Sequence, residues 1–192
     1  MFHVEARKGK ENARNERMKP LIAMVVAALL IATAAAQTRR PKQPDVRYVP
    51  TPQSVVDAML EMARVTSADV VYDLGSGDGR IPITAAEKYG ARGVGIEIEP
   101  RLVSEASENA VKAHVADRVR FLNQDLFETD LGPATVVTLF LLPRLNQQLM
   151  PTLKRLRPGT RVVSHQFDMG ADWPPEASQD VSGLIIYLWT IR

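Results

Sequence analysis

The stretch VVYDLGSGDGR, residues 70–80, joins a short apolar run to an acid and three alternating glycines. The run at 70–74 predicts a buried strand, and the apolar residues after the glycines predict a helix at 81–89. Glycines can take positive φ and let a ligand approach the backbone, while the amides that open the next helix point outward. The stretch therefore predicts a strand, a ligand-binding turn and a helix, with the turn built on Gly75, Gly77 and Gly79.

Beyond this stretch, short apolar runs alternate with segments of helical spacing. The predicted strands cover residues 70–74, 93–98, 119–122, 135–142, 160–165 and 184–191. The predicted helices cover residues 53–65, 81–89, 100–113 and 145–156. This alternation predicts an α/β fold, a doubly wound, Rossmann-like and mostly parallel sheet with helices on both faces, in a single domain. Such sheets bind ligands outside the carboxyl ends of their strands, which is where the glycine turn lies.

Charge and composition narrow the classes of partner. Residues 1–43 hold nine Lys or Arg against three Glu, whereas the remaining residues hold fifteen Lys or Arg against nineteen Asp or Glu. A net charge of −4 on that larger part argues against a nucleic-acid partner, because phosphate binding relies on clustered basic residues. The chain has no cysteine, which excludes disulfides, thiolate zinc sites and cysteine nucleophiles. Its three histidines are far apart in the chain, and no metal site is predicted.

The N-terminal part contains an apolar run at residues 21–36 that follows Met18 and Lys19 and ends in three alanines. A basic start, an apolar middle and small residues at the end are typical of an export signal. Because a spanning helix usually needs about 20 apolar residues, an uncleaved membrane anchor is the alternative. We therefore predict an extension with a signal or anchor at 1–36, a linker at 37–47 and a folded domain at 48–192. The expected location is exported or periplasmic, or membrane-anchored through residues 21–36.

The acid before the glycine turn indicates which ligand the turn holds. A phosphate-binding loop would add a Lys followed by Ser or Thr, and a dinucleotide fingerprint would space its glycines G-x-G-x-x-G. Here the spacing is G-x-G-x-G, and Asp73 stands two residues before Gly75, where it would repel a pyrophosphate and attract a cation. S-adenosylmethionine fits, since it carries an ammonium and a sulfonium and has no phosphate. A nicotinamide-dependent oxidoreductase is disfavoured for the same reason.

Two further acids end the next two predicted strands. Glu97 is placed to accept the ribose hydroxyls of a nucleoside, and Asp125 to accept a hydrogen bond from the adenine amino group. Turn capping and a solvated strand end are the alternative roles of these acids. The predicted cofactor-binding residues of these segments are Asp73, Gly75, Ser76, Gly77, Gly79, Glu97, Asp125 and Leu126.

Several segments together resemble a known family: YVPTPQSVVDAML, DLGSGDGRI, GVGIEIEPRLV, DLFETDL, LFLLP and RVVSHQFDMGADW. They are similar to class I, seven-strand S-adenosylmethionine-dependent methyltransferases. More narrowly, they resemble bacterial relatives of the mitochondrial protein-lysine methyltransferases that modify the adenine nucleotide translocase and the ATP synthase c-subunit. The resemblance begins at about Tyr48. It implies a class I methyltransferase fold and N-methylation of a protein lysine, and it adds Tyr48 and Thr51 as cofactor contacts. A small-molecule acceptor and a non-catalytic nucleoside-binding domain are the alternatives.

The predicted acceptor side follows the fourth strand. Methyl transfer depends mainly on alignment, and a lysine amine, whose pKa is ordinarily about 10.4, loses its proton more readily in an apolar slot. FLLPR, residues 140–144, supplies such a slot and lacks the Asn or Asp followed by Pro-Pro-aromatic that base-methylating enzymes show there. Phe167 and Trp173 are placed to enclose an alkylammonium, with core packing as the alternative role. The candidate catalytic residues are Pro143, Phe167 and His165, the last as a proton relay or as a buried core residue.

Overall fold

The computed structural model describes residues 48–192. The predicted signal or anchor at 1–36 and the linker at 37–47 lie outside the described residues and stay predictions. Within residues 48–192, every helix is too short or too polar to traverse a lipid bilayer.

Four helices and seven strands make up the described part of the chain. The helices are α1 (Gln53–Met62), α2 (Arg80–Tyr89), α3 (Pro100–Lys112) and α4 (Pro143–Leu153), with a 3-10 turn at Leu126–Glu128. The strands are β1 (Val70–Leu74), β2 (Arg92–Glu97), β3 (Val119–Asn123), β4 (Val136–Leu139), β5 (Arg161–His165), β6 (Ala177–Val181) and β7 (Leu184–Thr190).

All seven strands form one sheet, in the order β3-β2-β1-β4-β5-β7-β6. The first five strands pair in parallel, and β7 runs antiparallel to both β5 and β6. The predicted α/β, doubly wound and mostly parallel sheet is confirmed. The sequence did not predict β6, whose residues are polar and mostly exposed, so no apolar periodicity marks this edge strand.

The centre of the sheet is buried on both faces. Every residue of β4 is buried, and buried clusters cover the two faces of the central strands. The predicted fourth strand extended to residue 142, but β4 ends at Leu139, and Phe140 leaves the ladder to line a cavity. Continuous apolar runs of this kind are expected where a parallel strand is covered by helices on both sides.

Strand register determines where the first acid lies. Asp73 in β1 is aligned with Gly95 of β2 on one side and with Thr138 of β4 on the other. A Cβ at residue 95 would overlap the Phe121 ring, so the glycine allows close packing beside the acid. The carboxyl ends of β1, β2 and β4 therefore meet at one edge of the sheet, and the site is built there.

Candidate active site

The glycine turn between β1 and α2 adopts the conformations that its residues favour. Gly75, Gly77 and Gly79 have φ of 81°, 52° and 82°, the left-handed region that side chains disfavour. The amides of Gly75 and Ser76 donate to the Ile96 carbonyl at 2.8 and 3.0 Å, which ties the turn to β2. The turn is therefore held rigidly against the neighbouring strand.

Asp73 is a buried acid beneath this turn. The residue is only 4% exposed, and its carboxyl accepts a hydrogen bond of 2.7 Å from the Thr138 hydroxyl. Burial raises the pKa of Asp73 to about 7, and the negative charges of Glu97 and Asp78 add to that rise, while the Thr138 hydrogen bond opposes it. A cation bound beside Asp73 would favour the ionised carboxylate, and the ionised carboxylate would in turn attract the cation.

Glu97 at the end of β2 braces the turn. One carboxylate oxygen accepts from the Gly77 amide at 3.0 Å, and the other accepts from the amides of Ile98 and Glu99 at 2.8 and 2.9 Å. The side chain also lines the cavity described below. A carboxylate has about four acceptor positions, so these three bonds leave capacity for a ligand hydroxyl.

Asp125 follows β3 and caps the 3-10 turn at Leu126–Glu128. Its side chain accepts from the Phe127 amide at 3.0 Å, and the residue lines the cavity together with Leu126 and Phe127. The turn-capping role that the sequence left open for Asp125 is therefore present, and it places the carboxylate at the cavity wall.

A cavity opens at the carboxyl edge of the sheet and contains about 1230 Å³ of empty space, its mouth included. Seven of the predicted cofactor-binding residues line it: Tyr48, Thr51, Asp73, Gly75, Glu97, Asp125 and Leu126. Ser76, Gly77 and Gly79 are not among the lining residues; they form the backbone of the turn behind it. The Ser76 side chain is buried, and its hydroxyl has no hydrogen-bond partner within residues 48–192. The assignment of these ten residues to a cofactor stays a prediction.

The segment at residues 48–52 closes one side of the cavity, and we call it the strap. The Tyr48 ring lies against Gly77, where a Cβ would overlap it, and burial and Asp78 raise the pKa of the Tyr48 hydroxyl. Arg80 donates to the Thr51 carbonyl at 2.7 Å and forms an ion pair with Asp78 at 2.6 Å. The resemblance placed this segment over the cofactor, and the structure places it at the cavity wall.

Sequence reasoning missed Arg80 and Asp78 as cavity residues. The signal was present, because Arg80 is the first residue of α2, where a positive charge opposes the helix dipole. Helix formation therefore does not explain an arginine at this position. Its hydrogen bonds to the strap and to Asp78 do.

The acceptor side of the cavity is apolar. Phe140, Leu141, Leu142 and Phe167 line it, and the Phe140 and Phe167 rings are nearly parallel, with centroids 6.5 Å apart and planes inclined by 16°. We call the space beside these two rings the aromatic slot. Trp173 has the alternative role that the sequence left open, core packing: it contacts Trp189 at 5.6 Å and lies under the Lys154 ammonium, so it does not form the slot with Phe167.

His165 and Pro143 are not among the residues that line the cavity; His165 is buried and Pro143 is exposed. His165 is buried and packs against the Phe140 ring, with centroids 4.0 Å apart and planes inclined by 34°, and its Nδ1 lies 3.3 Å from the Thr51 hydroxyl. Burial lowers the pKa of the His165 imidazole, which favours its neutral form. Pro143 is the first residue of α4. A catalytic role for either residue stays a prediction. Within residues 48–192, no group of three or more His, Asp or Glu side chains is arranged to hold a metal ion.

Comparison with known proteins identifies the family. The profile of the ANTKMT methyltransferase domain matches residues 73–177. The chain belongs to this family. A protein-lysine N-methyltransferase of Saccharolobus islandicus is 46% identical over 153 residues, which are 77% of this chain and 95% of that protein. The adenine nucleotide translocase lysine N-methyltransferase of Mus musculus is 36% identical over 141 residues, 72% of this chain and 60% of the mouse enzyme.

Solved structures agree on the class. A Salinibacter ruber crystal structure in complex with S-adenosyl-L-homocysteine, described as an RNA methyltransferase, has a TM-score of 0.73 and 60% identity, covering 74% of this chain and 94% of that one. A Geobacter sulfurreducens S-adenosylmethionine-dependent methyltransferase, also with S-adenosyl-L-homocysteine, has a TM-score of 0.55 and 26% identity, covering 64% and 51%. This ANTKMT-family chain is therefore a class I methyltransferase that uses S-adenosylmethionine.

The site described above fits that cofactor. The buried Asp73 favours a cation, and the glycine turn permits close approach. Two further acids lie at the ends of neighbouring strands. A pyrophosphate would face three carboxylates at this edge, whereas S-adenosylmethionine brings positive charge to them.

Proposed function

We propose that this chain transfers a methyl group from S-adenosylmethionine to the ε-amino nitrogen of a lysine in a protein. The observation that carries the proposal is the 46% identity to a Saccharolobus islandicus protein-lysine N-methyltransferase, over 95% of that protein's length. A Caenorhabditis elegans lysine N-methyltransferase of the ATP synthase c-subunit, 28% identical over 78% of its own length, supports the same class of acceptor.

The cavity suits this reaction. S-adenosylmethionine, when bound, supplies a methyl group on a sulfonium; the C–S bond breaks as the N–C bond forms, leaving S-adenosylhomocysteine. Asp73 would hold the cationic part of the cofactor, and Glu97 and Asp125, which line the same cavity, would hold its nucleoside. The aromatic slot disfavours a charged amine, because burial in apolar surroundings favours the neutral form. Its walls therefore help the lysine to lose its proton to solvent and hold the amine in line.

Charge argues for a protein rather than an RNA acceptor, although the Salinibacter ruber relative is described as an RNA methyltransferase. Residues 44–192 carry a net charge of −4. Among the residues lining the cavity, Arg80 is the basic one, and it is paired with Asp78. An RNA-binding mouth needs clustered cations for the phosphates, and an acidic mouth instead attracts a basic side chain.

The location of the chain is a separate proposal, supported by residues 18–36 alone. We infer that this segment exports the domain or anchors it in a membrane. N-terminal sequencing of the protein isolated from cells would test it: a mature start at Gln37 supports a cleaved signal, and an intact chain in the membrane fraction supports an anchor. An intact chain in the soluble cytoplasmic fraction would contradict both.

The acceptor is tested by following the methyl group. The full-length chain is incubated with tritium-labelled S-adenosylmethionine and with separate protein and RNA fractions of the cells that produce it. We expect label in protein and, after acid hydrolysis, in ε-N-methylated lysine. Label released as methylated nucleosides from the RNA fraction would overturn the proposal, as would label found only in small molecules. Asp73→Ala serves as the control for cofactor-dependent transfer.

A further inference from the structure

A fully buried asparagine in α4 holds the loop that carries Phe167. Asn146 has 0% exposure, and its side-chain nitrogen donates to the Phe167 carbonyl at 3.0 Å, to the Asp168 carbonyl at 3.3 Å and to the Ser164 hydroxyl at 3.3 Å. The Ser164 hydroxyl donates to the same Phe167 carbonyl at 2.6 Å. Two side chains from different elements therefore converge on one carbonyl of this loop.

The loop needs such support because it leaves the sheet abruptly. Gln166, directly after β5, has φ of 67°, a conformation that is unfavourable for residues other than glycine. Beyond it, the Phe167 carbonyl accepts from Asn146 and Ser164, and the Asp168 carbonyl accepts from Asn146. The Phe167 residue is partly buried, so losing both donors to its carbonyl would be costly, and these bonds tie the loop to α4 and β5.

Packing alone does not explain an asparagine at position 146. The neighbouring buried positions of α4, Leu145 and Leu149, are apolar, and a leucine at 146 would bury more apolar surface. The Asn146 side-chain oxygen has no hydrogen-bond partner among residues 48–192, so the amide is retained in the core for its donors. Those donors all go to β5 and the loop that follows it.

We propose that Asn146 is a positioning residue that, with Ser164, sets Phe167 against the aromatic slot and so aligns the methyl acceptor. The proposal rests on the proposed function insofar as the acceptor is a lysine side chain. The Phe167 and Phe140 ring centroids lie 6.5 Å apart, and a shift of the loop would move Phe167 relative to Phe140 and so change the shape of the slot. Thr51 contacts His165 at the end of β5, but the cofactor contacts predicted at β1, β2 and the turn after β3 come from other elements, so most of the cofactor site should be spared.

The test is Asn146→Leu in the full-length chain, with any acceptor that the wild type methylates. We expect KM for the acceptor to rise, or kcat to fall, by about tenfold or more, because misplacement by about 1 Å is enough for such losses. We expect Kd for S-adenosylmethionine to change by less than about twofold, since no predicted cofactor contact is removed. Unchanged acceptor kinetics, or an equal loss of cofactor affinity, would overturn the proposal.

Two matched variants separate positioning from general destabilisation. Leu149→Ala removes a buried side chain from the same helix that makes none of these hydrogen bonds, and it should lower stability without changing the acceptor KM. Ser164→Ala removes the second donor to the Phe167 carbonyl and should raise the acceptor KM in the same direction. The double variant should lose less than the product of the two single losses, because both donors serve one carbonyl. Independent effects would contradict the shared role.

A spectroscopic measurement does not depend on the acceptor. The sequence has five phenylalanines, so labelling with 4-fluorophenylalanine gives a simple fluorine spectrum in which Phe167→Leu identifies one resonance. We expect Asn146→Leu to shift or broaden that resonance and Leu149→Ala to leave it in place. An unmoved resonance in Asn146→Leu would refute the positioning role. If the wild type methylates no lysine, the proposed function fails, while this spectrum still decides whether Asn146 positions Phe167.

Discussion

The Tyr48 ring lies directly against Gly77, so closely that a Cβ on residue 77 would overlap it. This contact joins the strap to the glycine turn, two segments separated in the chain by α1 and β1. Residue 77 is therefore glycine for two reasons: its φ is positive, and a side chain there would overlap the Tyr48 ring.

Gly77→Ala should therefore displace the strap and weaken cofactor binding. Gly159→Ala is the matched control, because Gly159 also has positive φ, 86°, but has no atom within 4 Å of an added Cβ. Both variants should lose about 1 kcal/mol of stability from the left-handed backbone. Only Gly77→Ala should lower the affinity for S-adenosylmethionine, by about tenfold or more, or ~1.4 kcal/mol. Calorimetric titration and urea unfolding measure the two quantities, and equal affinities in the two variants would contradict the role of the Tyr48 contact.

Asp73 should make cofactor binding depend on pH. Burial raises its pKa to about 7, so the protein without cofactor holds a proton there that must leave when a cation binds. The affinity for S-adenosylmethionine should rise as pH increases from about 5.5 to about 7.5, with proton release measurable by titration in buffers of different ionisation enthalpy. Asp73→Asn should bind more weakly at the upper end of that range and show a flatter profile. A wild-type affinity independent of pH would contradict this account.

The same group should lower the stability of the cofactor-free protein as pH rises. Between 3.8, the ordinary pKa of an aspartic acid, and about 7, the folded chain binds the Asp73 proton more tightly than the unfolded chain does. Stability therefore falls with rising pH in this window. Urea unfolding of wild type and Asp73→Asn at about pH 5 and about pH 8 measures this contribution: the difference between the two proteins should move in favour of Asp73→Asn at the higher pH. No change in that difference would refute the prediction.

Asp69 lies at the edge of the sheet opposite the cavity, and we expect it to contribute to stability but not to cofactor binding. Although burial opposes it, hydrogen bonds from Thr135, Arg161 and the Thr66 amide keep the pKa of Asp69 low. Its contribution is present above pH 3.8 and is lost as pH falls through the lowered value. Asp69→Asn leaves the Arg161 charge without its partner and should cost about 3 kcal/mol or more. Cofactor affinity measured on the folded fraction should not change, and a parallel loss of affinity would contradict the separation of the two edges.

Arg80→Ala should loosen the strap and leave the fold intact. The side chain bonds the Thr51 carbonyl and Asp78, and removing it frees both. We expect S-adenosylmethionine to dissociate about tenfold faster, because most changes at a binding site appear in koff. Arg101→Ala is the control, since the Arg101 ion pairs with Glu99 and Glu105 are exposed and contribute little. Stopped-flow displacement measures the dissociation rate of the cofactor. Equal rates in the two variants would contradict a role for the strap in cofactor binding.

The elements of this fold could be predicted where their apolar pattern is strong. The parallel strands and all four helices were anticipated because each buries an apolar face, and three acids could be placed at strand ends by topology alone. The β6 strand could not be predicted, because Ala177–Val181 is an exposed edge strand. Its pairing with β7 depends on backbone hydrogen bonds, which leave no apolar pattern in the sequence. The sequence also could not predict that the Phe167 ring lies beside Phe140. The left-handed conformation of Gln166 sets the direction of this loop, and it leaves no periodic pattern in the sequence.

The antiparallel direction of β7 determines where the C-terminal end of the chain lies, and hence how the protein can be attached to a surface or to a fusion partner. Since Thr190 pairs with Arg161 at the beginning of β5, the chain reaches residue 192 at the edge of the sheet opposite the cavity. Tyr48, by contrast, lies at the cavity itself. A tag or tether joined after Arg192 therefore lies away from the cavity mouth and leaves the strap in its natural chain context.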